Sequence, residues 1–241
     1  MIGSFLGVVI DRLPKEESIL WGRSHCDYCK KSLRWFELIP VFSFLFQKGR
    51  CRRCQKKLSW RYPGLEVITA VIFATIFVIF HQNIVAFFAL LLIASSFIVL
   101  VVIDLDHMII PDSTLITSGI GGFVLLVSIG GQIKALANVS TNIIVGLVCL
   151  GLFYFLYRVT KKRGIGFGDV KLAFILGFIV GYPRVILALY LAFLTGGLFG
   201  IILIVRGKKK LKSAIPFGPF MIAGIILSYC IPLSWLNQYL P

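Results

Sequence analysis

The sequence predicts an all-α, polytopic membrane protein with about seven to eight transmembrane helices and one small polar domain near its start. Three observations predict it. Of 241 residues, 58% are hydrophobic and 15% charged, and the mean hydropathy is +0.93, outside the range of soluble domains. Apolar runs long enough to cross a bilayer recur along the chain. The basic residues, finally, are distributed with a strong bias between the loops.

Residues 1–10 form an apolar stretch about half a span long that ends at Asp11-Arg12. It reads as the second half of a first helix, a partial segment over residues 1–12. A cleaved signal peptide would carry its basic residues before the apolar stretch, not after it. Residues 13–62 are polar and irregular. From residue 63 to 241 candidate spans follow at 64–80, 84–103, 113–130, 141–157, 172–182, 185–205 and 217–233. The run at 172–182 is too short to cross alone, so its helix should begin inside the Gly-rich motif before it or be enclosed by neighbours.

Orientation follows from the 25 Lys and Arg, because basic residues stay on the cytoplasmic side. Residues 11–62 hold 13 of them. Residues 158–171 hold five (Arg158, Lys161, Lys162, Arg163, Lys171), and residues 206–212 five more (Arg206, Lys208, Lys209, Lys210, Lys212). Only Lys134 and Arg184 fall on the opposite side, a split of 23 to 2 over seven alternating spans. The net charge of +15 is then a matter of topology and of anionic lipid, and no nucleic-acid partner is expected.

The polar segment carries Cys26-Asp27-Tyr28-Cys29 and Cys51-Arg52-Arg53-Cys54, two CxxC pairs separated by 21 residues. Four thiolates at this spacing are the ligand set of a zinc ribbon or knuckle. Disulfides are disfavoured in a reducing cytoplasm. Flanking Lys30, Lys31, Arg50, Arg52, Arg53, Lys56 and Lys57 would offset a tetrathiolate charge. Cys149 and Cys230 lie in apolar spans and read as packing residues.

Two acidic motifs lie against the spans: Asp104, Asp106 and Asp112 within residues 103–112, and Gly166-Phe167-Gly168-Asp169. A carboxylate in hydrocarbon costs roughly 2.5–3.5 kcal/mol at a helix centre. Pro111 disfavours helix at Ile110, so the first motif marks a helix end. Gly166 and Gly168 permit close approach, and Asp169 is placed to cap the helix that follows. Capping or solvation explains one such carboxylate, but not two separate spans bringing acid to one membrane edge. Two Asp from different helices within reach of each other share a proton. One then activates water while its partner protonates the carbonyl or the leaving amine. No serine-protease or zincin motif competes, and of three histidines only His107 adjoins the acids. Which two of the four Asp form the pair stays open on this reading. Glu66 either faces a substrate path or reaches Arg61 or the interface, and Phe217-Gly218-Pro219 shapes the start of the last span.

The chain resembles the bacterial type IV prepilin peptidases, of the GxGD intramembrane aspartic proteases. The likeness runs through Gly3-Ser4-Phe5-Leu6, Arg12-Leu13-Pro14, both CxxC pairs, Arg61-Tyr62-Pro63, the two Asp motifs and Pro216-Phe217-Gly218-Pro219. It implies that Asp104 and Asp169 are the catalytic dyad, with Asp106, Asp112, Gly166 and Gly168 supporting. It implies prepilin or pseudopilin substrates whose basic leader is cut at the cytoplasmic face of the inner membrane. It also implies methylation of the new N-terminus by S-adenosylmethionine, with Gly49 and Arg50 at associated positions, while the CxxC spacing itself makes Cys26, Cys29, Cys51 and Cys54 the expected zinc ligands. Two rivals differ in class: a proton- or cation-coupled transporter using the four Asp, and a non-catalytic zinc-bearing scaffold for pilus assembly. Neither the particular pilin nor the oligomeric state is written in the sequence.

Overall fold

The computed structural model describes residues 1–19, 24–26, 28–130, 132–161, 164–207 and 215–232. Lys162, Arg163, Lys208, Lys209, Lys210 and Lys212, which carry part of the orientation argument, lie outside them, as does Leu233. The chain forms two compact units, Met1–Gln82 and Asn83–Pro241.

In the first unit, α1 (Ile2–Arg12) packs on α3 (Arg61–Phe80), with a short α2 (Phe42–Phe46) in the segment between. Small residues set the α1–α3 contact. A Cβ added at Gly3 would fall 2.8 Å from the Glu66 Cα, while Gly7, one turn on, faces Leu65 and Tyr62. Such small-xxx-small spacing lets two backbones approach in lipid, where packing replaces the hydrophobic effect. The Tyr62 hydroxyl donates to Asp11 at 3.0 Å and ties the two helices at their polar ends.

The second unit is a bundle of α4 (Ile84–His107), α5 (Asp112–Gly130), α6 (Gln132–Val159), α7 (Phe167–Val180), α8 (Arg184–Val205) and α9 (Gly218–Tyr229). The Asn83 side chain caps α4, accepting from Ala86 N at 3.0 Å. At its other end α4 stops on Met108, which is left-handed at φ 55°, and Pro111 prevents helix from continuing through Ile110. The core joins Leu100, Phe153, Leu172, Leu176 and Met221 from four different helices. Polar pairs seal individual contacts: Ser96 and Thr117 meet at 2.7 Å between α4 and α5, and Asn142 donates to the Phe178 carbonyl at 2.9 Å between α6 and α7. Outward faces carry large apolar side chains such as Ile120, Phe123, Leu147, Phe155 and Leu198, the surface a lipid-embedded bundle presents.

The number of spans differs from the sequence expectation of seven to eight. Among the described residues, five helices are long and apolar enough to cross a membrane: 61–80, 84–107, 112–129, 138–159 and 184–205. The other predicted spans are helical but short. α1 has 11 residues, α7 14 and α9 12, or about 16–21 Å at 1.5 Å per residue against a core of about 30 Å. The physical reason is chain breaking that hydropathy does not register. α7 ends at Gly181, held at φ 70°, with Pro183 close behind. Enclosure replaces length for α7: it begins inside the Gly-rich motif and buries Val170, Leu172, Ala173, Leu176 and Phe178.

Candidate active site and metal centre

Asp104 sits in the last turn of α4, 4% exposed. Its Oδ2 accepts the Gly218 N–H at 3.0 Å. Gly218 is the first residue of α9, where backbone N–H groups have no partner within the helix and favour a carboxylate. Only glycine fits, since a Cβ there would fall 2.6 Å from Asp104 Oδ2.

Asp169 lies in the first turn of α7, 8% exposed. Its Oδ2 accepts the Gly166 N–H at 3.0 Å, and the Asp169 N–H returns to the Gly166 carbonyl at 3.1 Å. The aspartate therefore caps its helix from within the first turn. A Cβ at Gly168 would fall 2.9 Å from Ile110, so the start of α7 rests on the segment that carries the first acidic motif. The two motifs meet at one end of the bundle. Each carboxylate thus has one oxygen fixed by a glycine N–H. The other oxygen of each has no hydrogen bond among the described residues.

The remaining acids stand apart from this pair. Asp106 and His107 are exposed at the end of α4. Asp112 opens α5 and takes both its hydrogen bonds from Lys171 Nζ, at 2.7 and 2.9 Å. Lys171 also lies over the Phe167 ring at 5.4 Å, so this ion pair joins α5 to the first turns of α7. Sequence reasoning missed both Gly218 and Lys171 as parts of the site. The signal for Gly218 was its place between two prolines in Pro216-Phe217-Gly218-Pro219. Lys171, two residues after Asp169, was counted only for its charge.

In the first unit the two CxxC segments fold as matching turns. Cys26 N donates to Lys31 O at 3.1 Å and Lys30 N to Cys26 O at 2.9 Å; Cys51 N donates to Lys56 O and Gln55 N to Cys51 O, both at 2.9 Å. The residue after each second cysteine, Lys30 or Gln55, is left-handed at φ 54° or 57°. The four sulfurs lie within 4.8 Å of one another, and Cys26 Sγ is 3.9 Å from Cys54 Sγ. That is far beyond a disulfide bond and close to the ~3.8 Å edge of a tetrahedron with metal–sulfur bonds of about 2.3 Å. The backbone N–H groups of Cys54 and Arg53 aim at the Cys51 sulfur and pull its thiol down to about 7, favouring the thiolate that a metal needs. The cluster fits a metal ion. Nearby, Gly49 is left-handed at φ 66° against the Phe44 ring, and Arg50 bridges to Lys57. Cys149 is buried and Cys230 exposed, both away from the cluster.

Residues 1–80 match the model of the bacterial peptidase A24 N-terminal domain, and residues 91–201 that of the type IV leader peptidase family. A prepilin leader peptidase/N-methyltransferase of Bacillus subtilis (strain 168) is 32% identical over 240 residues, covering 100% of this chain and 94% of the relative. The chain belongs to the type IV leader peptidase family. Relatives under the same description in Aeromonas salmonicida (strain A449) and Pseudomonas putida are 34% and 32% identical, each covering 94% of this chain and 86% of the relative. No solved structure matches the chain.

Proposed function

We propose that Asp104 and Asp169 are the catalytic dyad with which this leader peptidase removes the leader from prepilins or pseudopilins. The protein is a multi-pass enzyme of the bacterial inner membrane. One observation carries the assignment of the dyad: two buried carboxylates, from different helices at one end of the bundle, each anchored through one oxygen by a glycine N–H. The open oxygens are where a shared proton and a water would sit. The ionised carboxylate takes a proton from the water as its oxygen attacks the scissile carbonyl carbon, and the protonated partner donates to the carbonyl oxygen. As the C–N bond breaks, the leaving amine takes up a proton. Exposed Arg158 and Lys161, at the close of α6 just before α7, support a cytoplasmic position for this end. Cys26, Cys29, Cys51 and Cys54 hold a structural zinc, and the enzyme methylates the new N-terminus with S-adenosylmethionine.

The test is incubation of the purified protein with a prepilin and mass measurement of the mature N-terminus. Loss of the leader is expected; a prepilin left intact by the folded wild type overturns the reading. Two further outcomes are expected at the same bench. Gly218→Ala places a methyl group against Asp104 Oδ2 and turns the carboxylate aside. Cleavage turnover should fall about a hundredfold with KM close to wild type, and the overpacked site should also lower the melting temperature by a few degrees. Lys171→Asp and Asp112→Lys should each slow cleavage several-fold, and the double exchange should restore it. Such an exposed pair contributes about 1 kcal/mol or less to stability, so melting temperatures should hardly move. No restoration in the double variant would show that the pair does not position Asp169.

A further inference from the structure

We infer that four exposed apolar side chains beside Asp104 and Asp169 seat the apolar residues that follow the scissile bond, and so set how tightly the enzyme holds its substrate. They are Leu105, Met108, Ile109 and Phe167, each half or more exposed. This rests on the leader peptidase reading above. Leu105 and Met108 stand three residues apart at the close of α4 and share a face, and Ile109 follows directly. Phe167 opens α7 two residues before Asp169.

The two stretches that carry these side chains are held together at two points. Ile110, next to Ile109, lies against Gly168, next to Phe167, where a Cβ would fall 2.9 Å away. Lys171 Nζ reaches Asp112 at 2.7 Å. Phe167 is braced as well, its ring centroid 5.8 Å from that of Tyr157 and Lys171 over its face. A surface fixed before binding loses little freedom when a ligand is seated on it.

Lipid tails do not account for the exposure of this face. Asp106 and His107 lie between Leu105 and Met108 in the chain, Asp112 follows soon after, and all three are exposed. Charged side chains stay at the water boundary of a membrane, so the four apolar ones stand at that depth too, where hydrocarbon does not cover them. A substrate poised at the dyad sends its leader to one side and the retained chain to the other. A basic leader would give up hydration over such a face, whereas an apolar segment gains by leaving water there. The face therefore belongs to the retained side of the scissile bond, and it selects a substrate that is apolar there.

The test measures kcat and KM of the full-length protein in detergent on a prepilin, and on a second prepilin in which serine replaces the first large apolar residue after the cut. Ile109→Ala and Phe167→Ala should each raise KM for the first substrate about tenfold. Their kcat should stay near wild type, because the hydrogen bonds that hold Asp104 and Asp169 are left in place. For the serine substrate KM is already high, and the same variants should add little, since the contact they remove is gone. Ile109→Val and Phe167→Leu should restore most of the affinity. Ile120→Ala, on the outward face of α5 and as exposed as Ile109 at 54%, should change neither constant. An unmoved KM in both alanine variants overturns the inference. An equal rise for both substrates also overturns it and assigns the face to lipid; loss of a dimer in Ile109→Ala overturns it in favour of a second copy. A wild type that leaves the prepilin intact fails the leader peptidase reading, whereas normal wild-type cleavage with an unmoved KM in the variants fails this inference alone.

Discussion

Asp104→Asn and Asp169→Asn are each expected to abolish leader cleavage, by about a thousandfold or more, in a protein that still folds. General acid–base groups contribute roughly 10²–10⁴ in rate, and in the proposed mechanism each carboxylate serves in both steps of the hydrolysis. The amide is the informative replacement because it preserves geometry. Its oxygen can still accept the Gly218 N–H in one variant and the Gly166 N–H in the other, the bonds that hold the carboxylates at 3.0 Å. What it removes is ionisation, and with it the shared proton. Loss of activity with an unchanged melting temperature therefore reports chemistry. Turnover within tenfold of wild type in both variants would remove the dyad from these two residues. Asp106→Asn makes the internal comparison: that side chain is exposed at the end of α4, and its replacement should retain most activity.

Much of this site was legible in the sequence because acids in an apolar chain are conspicuous. A carboxylate in such a setting needs a reason, and the motifs around Asp104 and Asp169 gave one. The cysteine turns were legible for a similar reason, since the CxxC spacing reflects the short backbone turn that brings two sulfurs together. Gly218 was not legible as a partner of Asp104, because what it offers is a backbone N–H and an absent side chain, and neither is a residue type one scans for. Its contact also joins residues 114 positions apart. Lys171 was hidden by a second role, as one more basic residue in a loop count. The number of spans went astray because an apolar run reads alike whether lipid or protein surrounds it. α7 is apolar on all sides owing to its enclosure between neighbouring helices, and only its length, cut by Gly181, reveals that it is not a full span.

Cys26→Ser should release the metal and loosen the segment between α1 and α3. That segment has little else to hold it: beyond two 3₁₀ turns and a five-residue helix, its described backbone makes mostly local hydrogen bonds. Its buried side chains are few, with Cys26, Cys51, Phe44 and Glu37 the main ones. About fifty residues with so small an apolar core do not hold a fold by burial alone. Structural zinc sites contribute about 10–16 kcal/mol of apparent binding free energy in small peptides, enough to order such a segment. Serine at position 26 removes one of the four proposed ligands and leaves three cysteine sulfurs facing each other without an ion to join them. Wild-type protein should carry about one zinc per chain, as tetrathiolate sites do, and the variant far less, with rapid proteolysis between residues 13 and 60. Cys230→Ser, at an exposed cysteine outside the cluster, should change neither property. Metal-free protein that resists protease as well as the wild type does would mean that this segment is ordered by something other than a metal.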